Sequence, residues 1–405
     1  MTTKPSEPPS SPEILFVVGG LIIGGTERHL SSVARALIRL GWRVSIYSLA
    51  GDGPLRAEME AGGVTVVLPP IDRSAIADVL ILRVLRFAYA GFHLIYTMLR
   101  TRPQIVHFFL PAAYVVGAIA AALAGAQTRI MSRRSLNTYQ QVFPAIRWAE
   151  MKLHRRMDAV LGNSEAVMRQ LREEGIQDHK LGLIYSGIEL STSQPIGRTE
   201  LRASLGIEES ALVYIIVANL IPYKGHIDLI EAFGIAANEI GQPWYLLIVG
   251  RDDGVGPEIR AKARQLKIDD RVSLVGPRPD VSSLLMLSDV GLLCSHEEGF
   301  SNVILEAMAA RLPMIVTNVG GNAEAVLHGE TGLVVPPRDP QALATSIVCL
   351  ARNSQLRQRY GSAGRKRVES QFSLKTCVDK YEALYRGLLR GKIPRDIPEL
   401  HDCNQ

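Results

Sequence analysis

Twice along this chain, short apolar runs alternate with amphipathic stretches, and a polar segment at 191–198 separates the two series. A parallel strand covered on both faces reads as a continuous apolar run, whereas its crossover helix shows the 3.6-residue period. The alternation therefore predicts an α/β protein of βα units, with two successive doubly wound parallel sheets. In the first series, strands are expected at 13–18, 44–49, 64–68, 104–108, 129–131, 159–161 and 183–185. In the second they are expected at 212–218, 245–249, 272–275, 290–294, 314–317 and 333–335. Thr26 is the expected N-cap of the first helix, with Glu27 in its first turn and Gly41 as its stop. The expected organisation is a disordered Pro/Ser-rich tail at 1–12, domains at 13–190 and 199–372, and a last helix within 373–390. Sheets of this kind bind ligands at the carboxyl ends of their strands, and two of them imply a cleft between domains.

Composition narrows the class. Of 405 residues, 47% are hydrophobic and 21% charged, the balance of a globular protein. The cysteines Cys294, Cys349, Cys377 and Cys403 form no CxxC pair, which excludes a zinc ribbon and argues for a reducing compartment. The apolar run at 14–23 is short and broken by glycine, with no basic region before it, so neither a signal peptide nor a membrane span is expected there. These readings place the chain in the cytoplasm.

The net charge is a modest +5, so nucleic acid is not an expected partner, but the basic residues cluster. Between Arg129 and Arg156 stand Arg133, Arg134, Arg147, Lys152, His154 and Arg155, interleaved with Tyr139, Phe143, Ile146 and Trp148. Two readings stand side by side: a solvated basic face, or contact with an anionic membrane surface or phosphorylated acceptor. The apolar stretch 75–99 carries Arg83, Arg86 and His93, so a packed or membrane-touching helix is expected rather than a spanning one.

The densest chemistry is at His296-Glu297-Glu298-Gly299-Phe300-Ser301-Asn302, which leaves an apolar strand and enters a helix. The amides of Gly299, Phe300, Ser301 and Asn302 would sit at a helix N-terminus, where free N–H groups and the dipole suit a diphosphate. Glu306, a turn inside that helix, can accept hydrogen bonds from ribose hydroxyls, and Glu298 would face a sugar. Read alone, the same residues describe an acidic surface loop and an ordinary helix. Two further loops change that reading. Asn219 to Gly225 ends a strand and offers Lys224 as a point charge for a leaving phosphate, and Gly320-Gly321-Asn322-Ala323-Glu324 is another glycine turn opening a helix.

With these three loops and Gly24-Gly25, nearly the whole chain resembles the family 4 glycosyltransferases, retaining enzymes of the GT-B fold. That resemblance implies two Rossmann-like domains facing across a cleft, and a nucleotide-diphosphate sugar as co-substrate. It implies that Glu306 binds the donor ribose, that Lys224 and the amides after Glu298 hold the diphosphate, and that Glu298 lies beside the donor sugar. Val275 and Arg278 would flank the nucleobase. Gly24 and Gly25 would approach the phosphates, and Gly320, Gly321 and Glu324 would floor the sugar pocket. It also implies that the last helix crosses back to brace the N-terminal domain.

The sequence departs from the family twice. Asn219 stands where an arginine usually serves as second cation, and Arg251 is the first candidate to replace it, with Arg133 or Arg134 behind. Phe109 stands where the family often has a second histidine. His107, the first, is then either a catalytic sugar or acceptor contact or a satisfied core histidine. No D-x-D triplet occurs in the sequence, so no metal cofactor is expected. The acceptor reading is a lipid-linked oligosaccharide at the inner membrane face, in lipopolysaccharide or other cell-surface polysaccharide assembly. The rival readings are a nucleotide-sugar epimerase of the same architecture and a non-catalytic sugar-nucleotide-binding scaffold. A nicotinamide oxidoreductase lacks support, because its glycine fingerprint is missing. The sequence leaves open the donor base and sugar, the linkage and the oligomeric state.

Overall fold

The computed structural model describes residues 11–22, 24–70, 80–190 and 197–400. Most of the expected N-terminal tail, nearly all of the 191–198 linker, the start of the 75–99 stretch and Cys403 lie outside the described residues. The chain divides into two compact units, one running to Ser186 and resuming at Cys377, the other spanning Gly187–Thr376.

The first unit is built on seven strands: β1 (Glu13–Val18), β2 (Arg43–Ser48), β3 (Thr65–Val67), β4 (Ile105–Phe109), β5 (Thr128–Arg133), β6 (Ala159–Gly162) and β7 (Leu181–Leu183). They pair in parallel in the order β3-β2-β1-β4-β5-β6-β7. Connecting them are α1 (Gly25–Arg39), α2 (Arg56–Ala61), α3 (Leu80–Thr101), α4 (Pro111–Leu123), α5 (Tyr139–Val142), α6 (Pro144–His154) and α7 (Glu165–Glu173). β1 is buried from Ile14 to Val18, as expected for an apolar run covered on both faces.

The N-cap of α1 differs from expectation. Gly24, not Thr26, precedes the helix in extended conformation. A Cβ at position 24 would overlap the carboxylate of Glu27, which folds back over the turn, so glycine suits this position. Glu27 is buried, and burial raises its carboxyl above the usual range.

The second unit carries β8 (Leu212–Val217), β9 (Trp244–Val249), β10 (Val272–Gly276), β11 (Val290–Leu293), β12 (Met314–Thr317) and β13 (Gly332–Val335), parallel in the order β10-β9-β8-β11-β12-β13. Its helices are α8 (Arg198–Ser204), α9 (His226–Ala236), α10 (Gly256–Gln265), α11 (Val281–Leu287), α12 (Asn302–Ala309), α13 (Asn322–Ala325), α14 (Pro340–Arg352) and α15 (Ser354–Gln371). Tyr214, Phe233 and Trp244 pack ring to ring in its core. Both units are Rossmann-like. In each sheet the winding reverses beside the first strand, between β1 and β4 and between β8 and β11, and such a switch point is where a crevice opens outside the strand ends.

The last helix, α16 (Leu374–Leu389), passes from one unit to the other at Cys377. Beyond that point it packs in the first unit, with Tyr385 against Trp42 and His107, and Tyr381 against His29.

The basic cluster at 129–156 is not one solvated face. Arg133 is buried and pairs with Glu150 and Glu174, and His154 pairs with Glu174 from the other side. Burial alone would raise the Glu174 carboxyl, but hydrogen bonds from His154 and Arg133 outweigh it and hold the group down at about 2. Arg134 is also buried, donating to the Ser186 hydroxyl. Arg147, Trp148, Lys152 and Arg155 do face solvent.

Candidate functional site

In the second unit, the loops after β8 and β11 leave the two strands that flank the switch point, and they are locked together. Backbone N–H of His296 donates to the Tyr223 carbonyl at 2.7 Å. Gly225 takes a left-handed conformation (φ +70°), and a Cβ there would overlap the Cys294 carbonyl oxygen, so only glycine allows this approach. The Cys294 thiol lies under the same loop, and burial pushes its pKa up, so it is a packing group rather than a nucleophile.

This clamp brings Lys224 and Glu298 together: Lys224 Nζ donates to Glu298 Oε1 at 2.5 Å across 74 residues of sequence. The Ser295 hydroxyl donates to the same oxygen at 2.7 Å. The two side chains are 17% and 11% exposed, so the pair is accessible but largely screened from bulk water. His226, next to Lys224 but buried, is held neutral: burial first, then the charge of Lys224, push it down to about 4. Lys224 thus carries the positive charge of this loop.

The third loop, after β12, completes the arrangement. Gly321 N–H donates to the Gly299 carbonyl at 2.8 Å. Gly320 has φ +51°, and a Cβ on it would overlap the Glu298 carbonyl oxygen. α12 then starts at Asn302 after Ser301, whose side chain makes no capping hydrogen bond. A helix N-terminus at a strand end is a place where backbone N–H groups and the dipole suit an anion. Phe300 turns inward against Phe372, leaving only backbone to face a ligand. Glu306 is half-buried on α12, and Glu324 is half-buried on α13. A second clamp was not anticipated from sequence: His296 Nε2 meets Asp228 Oδ2 at 2.7 Å, tying the Glu298 loop to α9. Asp228 and Ser295 carried a signal only in retrospect, the one in the first turn of a helix and the other three residues ahead of a glutamate.

The remaining expected residues are placed as follows. The Asn219 carboxamide oxygen accepts from the backbone N–H of Arg251 at 3.1 Å, so Asn219 splices the β8 and β9 ends. The Arg251 guanidinium, 67% exposed, forks onto Asp253. Val275 is half-buried on the edge strand β10, and Arg278 beyond it forks onto Asp280.

Gly24, Gly25 and His107 belong to the other unit. His107 is fully buried, with Tyr385 on Nδ1 at 2.8 Å and Ser132 on Nε2 at 2.7 Å. Both ring nitrogens are spent, and burial lowers its pKa well below the usual value. This is the satisfied core histidine of the two readings, and its catalytic role is withdrawn. Arg133 is withdrawn as a substitute cation for the same reason, since two carboxylates already neutralise it. Arg134 keeps a buried Nε without a hydrogen bond. Among the described residues, no group of three His, Cys, Asp or Glu side chains could hold a metal ion, and no helix is long and apolar enough to cross a membrane.

Comparison with known proteins follows the same division. Residues 197–367 match the family model of glycosyl transferases group 1, and residues 23–192 match that of Glycosyltransferase Family 4. The chain is similar to the N-acetyl-alpha-D-glucosaminyl L-malate synthase of Bacillus anthracis, 32% identical over 58% of this chain and 62% of that protein. It is similar to the capsular polysaccharide biosynthesis glycosyltransferase CapM of Staphylococcus aureus, 33% identical over 43% of this chain and 46% of that one. The matched stretch thus spans less than two thirds of either relative. Among solved structures, Anabaena HepE in complex with UDP superposes with a TM-score of 0.80 at 22% identity, covering 93% of this chain and 100% of that one. At that identity the likeness speaks for the GT-B fold.

Proposed function

The chain belongs to the family 4 glycosyltransferases, and from that premise we propose that it moves a sugar from a nucleotide-diphosphate donor to an acceptor with retention of anomeric configuration. The observation that carries this reading is the interlock of three strand-end loops at the switch point of the second unit, which sets Lys224, Glu298 and the start of α12 side by side.

As the glycosidic bond breaks, charge grows on the β-phosphate, and a site that stabilises it must hold fixed positive charge and donors there. Lys224 and the first amides of α12 supply both, without a divalent ion. Glu306 takes the ribose, while Val275 and Arg278 flank the base. Gly320, Gly321 and Glu324 floor the sugar pocket. Glu298 accepts from Lys224 and Ser295 through one oxygen, an arrangement suited to an electrostatic contact with the sugar rather than to a covalent nucleophile. Arg251 already shares its charge with Asp253, which makes it a weak candidate for the second cation.

For the acceptor we favour a lipid-linked oligosaccharide in cell-surface polysaccharide assembly, with the chain working at the inner face of the cytoplasmic membrane. The likeness to CapM supports this reading. The likeness to the malate synthase favours a second one, a small soluble acceptor.

Thermal shift against a panel of nucleotide sugars tests the donor. A nucleotide at a hundred times its dissociation constant stabilises the protein by about 2.7 kcal/mol. Transfer to acceptor should then continue in excess chelator. Activity that returns only on adding manganese or magnesium would sink the metal-free site.

A further inference from the structure

We propose that the helical layer formed by α3, α4 and α6 of the first unit is a docking surface for an anionic lipid bilayer. This deepens the proposed membrane acceptor and rests on that reading.

α3 is apolar on opposite sides. Ala90, Leu94 and Met98 face the core, as an ordinary amphipathic helix requires. Leu85, Tyr89, Phe92, Tyr96 and Leu99 recur at steps of four and three residues and face outward, Phe92 being 71% exposed. A helix that is hydrophobic all round is a buried or a membrane-contacting helix, and this one is not buried. The outward stripe runs for about 21 Å at 1.5 Å per residue. It does not stand alone. α3 packs on α4 and α4 on α6. α4 adds Ile119 and Leu123, the latter 70% exposed, and α6 with the turn into it adds Phe143 and Trp148. Most of the large apolar side chains that face solvent thus lie on one layer of one unit, and contiguous exposure on that scale marks an interaction surface.

Charge selects the occupant. Between Asp78 and Glu150 the sequence holds no acidic residue, and its permanently charged side chains are all arginine. Glu150, the acid of α6, is buried under Arg133 and Tyr139. What faces solvent is basic: Arg100 and Arg102 beside α3, then Arg147, Lys152, Arg155 and Arg156 on and after α6. A second copy of this face would bring like charge against like. An anionic leaflet meets both features, taking the apolar stripe below its headgroups, the Tyr and Trp rings at their level and the basic groups at its surface. Since no described helix can cross a membrane, the layer lies on the bilayer rather than through it.

The test is flotation of the full-length protein with vesicles of phosphatidylcholine, alone or with about 30% phosphatidylglycerol, at about 0.1 M salt. Binding should favour the anionic vesicles and weaken as salt rises. Phe92→Ser with Trp148→Ser should cost about tenfold or more, as should Arg147→Glu with Lys152→Glu, each basic group near an anionic surface contributing about fivefold. Each variant must keep the wild-type thermal shift with the nucleotide sugar, which shows that it is folded. Equal binding to both vesicle types, or full binding by both variants, overturns the surface. So does a self-association that Phe92→Ser abolishes without any vesicle binding. If flotation fails while the nucleotide sugar still stabilises the protein, the docking surface falls and the transferase reading stands. If flotation succeeds with no donor stabilisation, the transferase reading falls instead.

Discussion

Lys224 and Glu298 pair through a single carboxylate oxygen. Donor phosphate and Glu298 therefore compete for one ammonium group. Lys224→Ala should lower kcat/KM by about a hundredfold or more, the scale of losing one charge-stabilising donor. Glu298→Gln frees that ammonium and should tighten nucleoside diphosphate binding while turnover falls. Calorimetry beside steady-state kinetics separates the two effects, and a Glu298→Gln enzyme with full turnover would contradict the proposed site.

Arg251 offers a contrast. Its guanidinium is exposed and forked onto Asp253, so Arg251→Ala should change donor affinity by no more than about threefold, as for a screened surface charge. A loss matching that of Lys224→Ala would mean that Arg251 leaves Asp253 for the phosphate.

Gly320 and Gly225 are the hinges of the interlock. Each has positive φ and a neighbouring carbonyl where a Cβ would go. Alanine at either position forces the Glu298 or Cys294 backbone to move. We expect a cost above about 1 kcal/mol in stability and loss of the nucleotide-induced thermal shift. Urea melts with and without nucleotide would show both. Gly125→Ala, where no atom stands in the way, is the control for left-handed backbone alone.

Acid should strike the first unit through Glu174. Its carboxyl sits at about 2 in the folded chain, against an ordinary value near 4.5. A depressed folded pKa gives stability that is fully present above the ordinary value and lost as pH falls from there towards 2. Glu174→Gln should remove that dependence and cost about 3 kcal/mol at neutral pH, because it leaves Arg133 partly uncompensated. Calorimetric melts between neutral and acid pH would follow it. An unchanged profile would show that His154 and Glu150 compensate.

Much of this was legible in the sequence. Parallel strands buried on both faces are continuous apolar runs, so β1 and β12 fall where periodicity puts them. Helices such as α4, nearly all apolar, show no amphipathic period and were missed. The loops with Lys224, Glu298 and Gly320 were readable because glycine at a strand end has few other uses. His107 was left between two readings, and Arg133 misjudged, for a common reason. Whether a polar side chain faces water depends on partners far away in sequence, here Tyr385 and Glu174, which local spacing cannot reveal.

The passage of α16 into the first unit has a consequence for how the chain is made. His107 leaves the ribosome long before Tyr385, the hydroxyl that satisfies its Nδ1. The portion synthesised first is thus finished last, and until then it holds an unmet polar group in its interior. A nascent chain stalled near Thr376 would contain every residue of the second unit while its first-made partner still waited for its final piece.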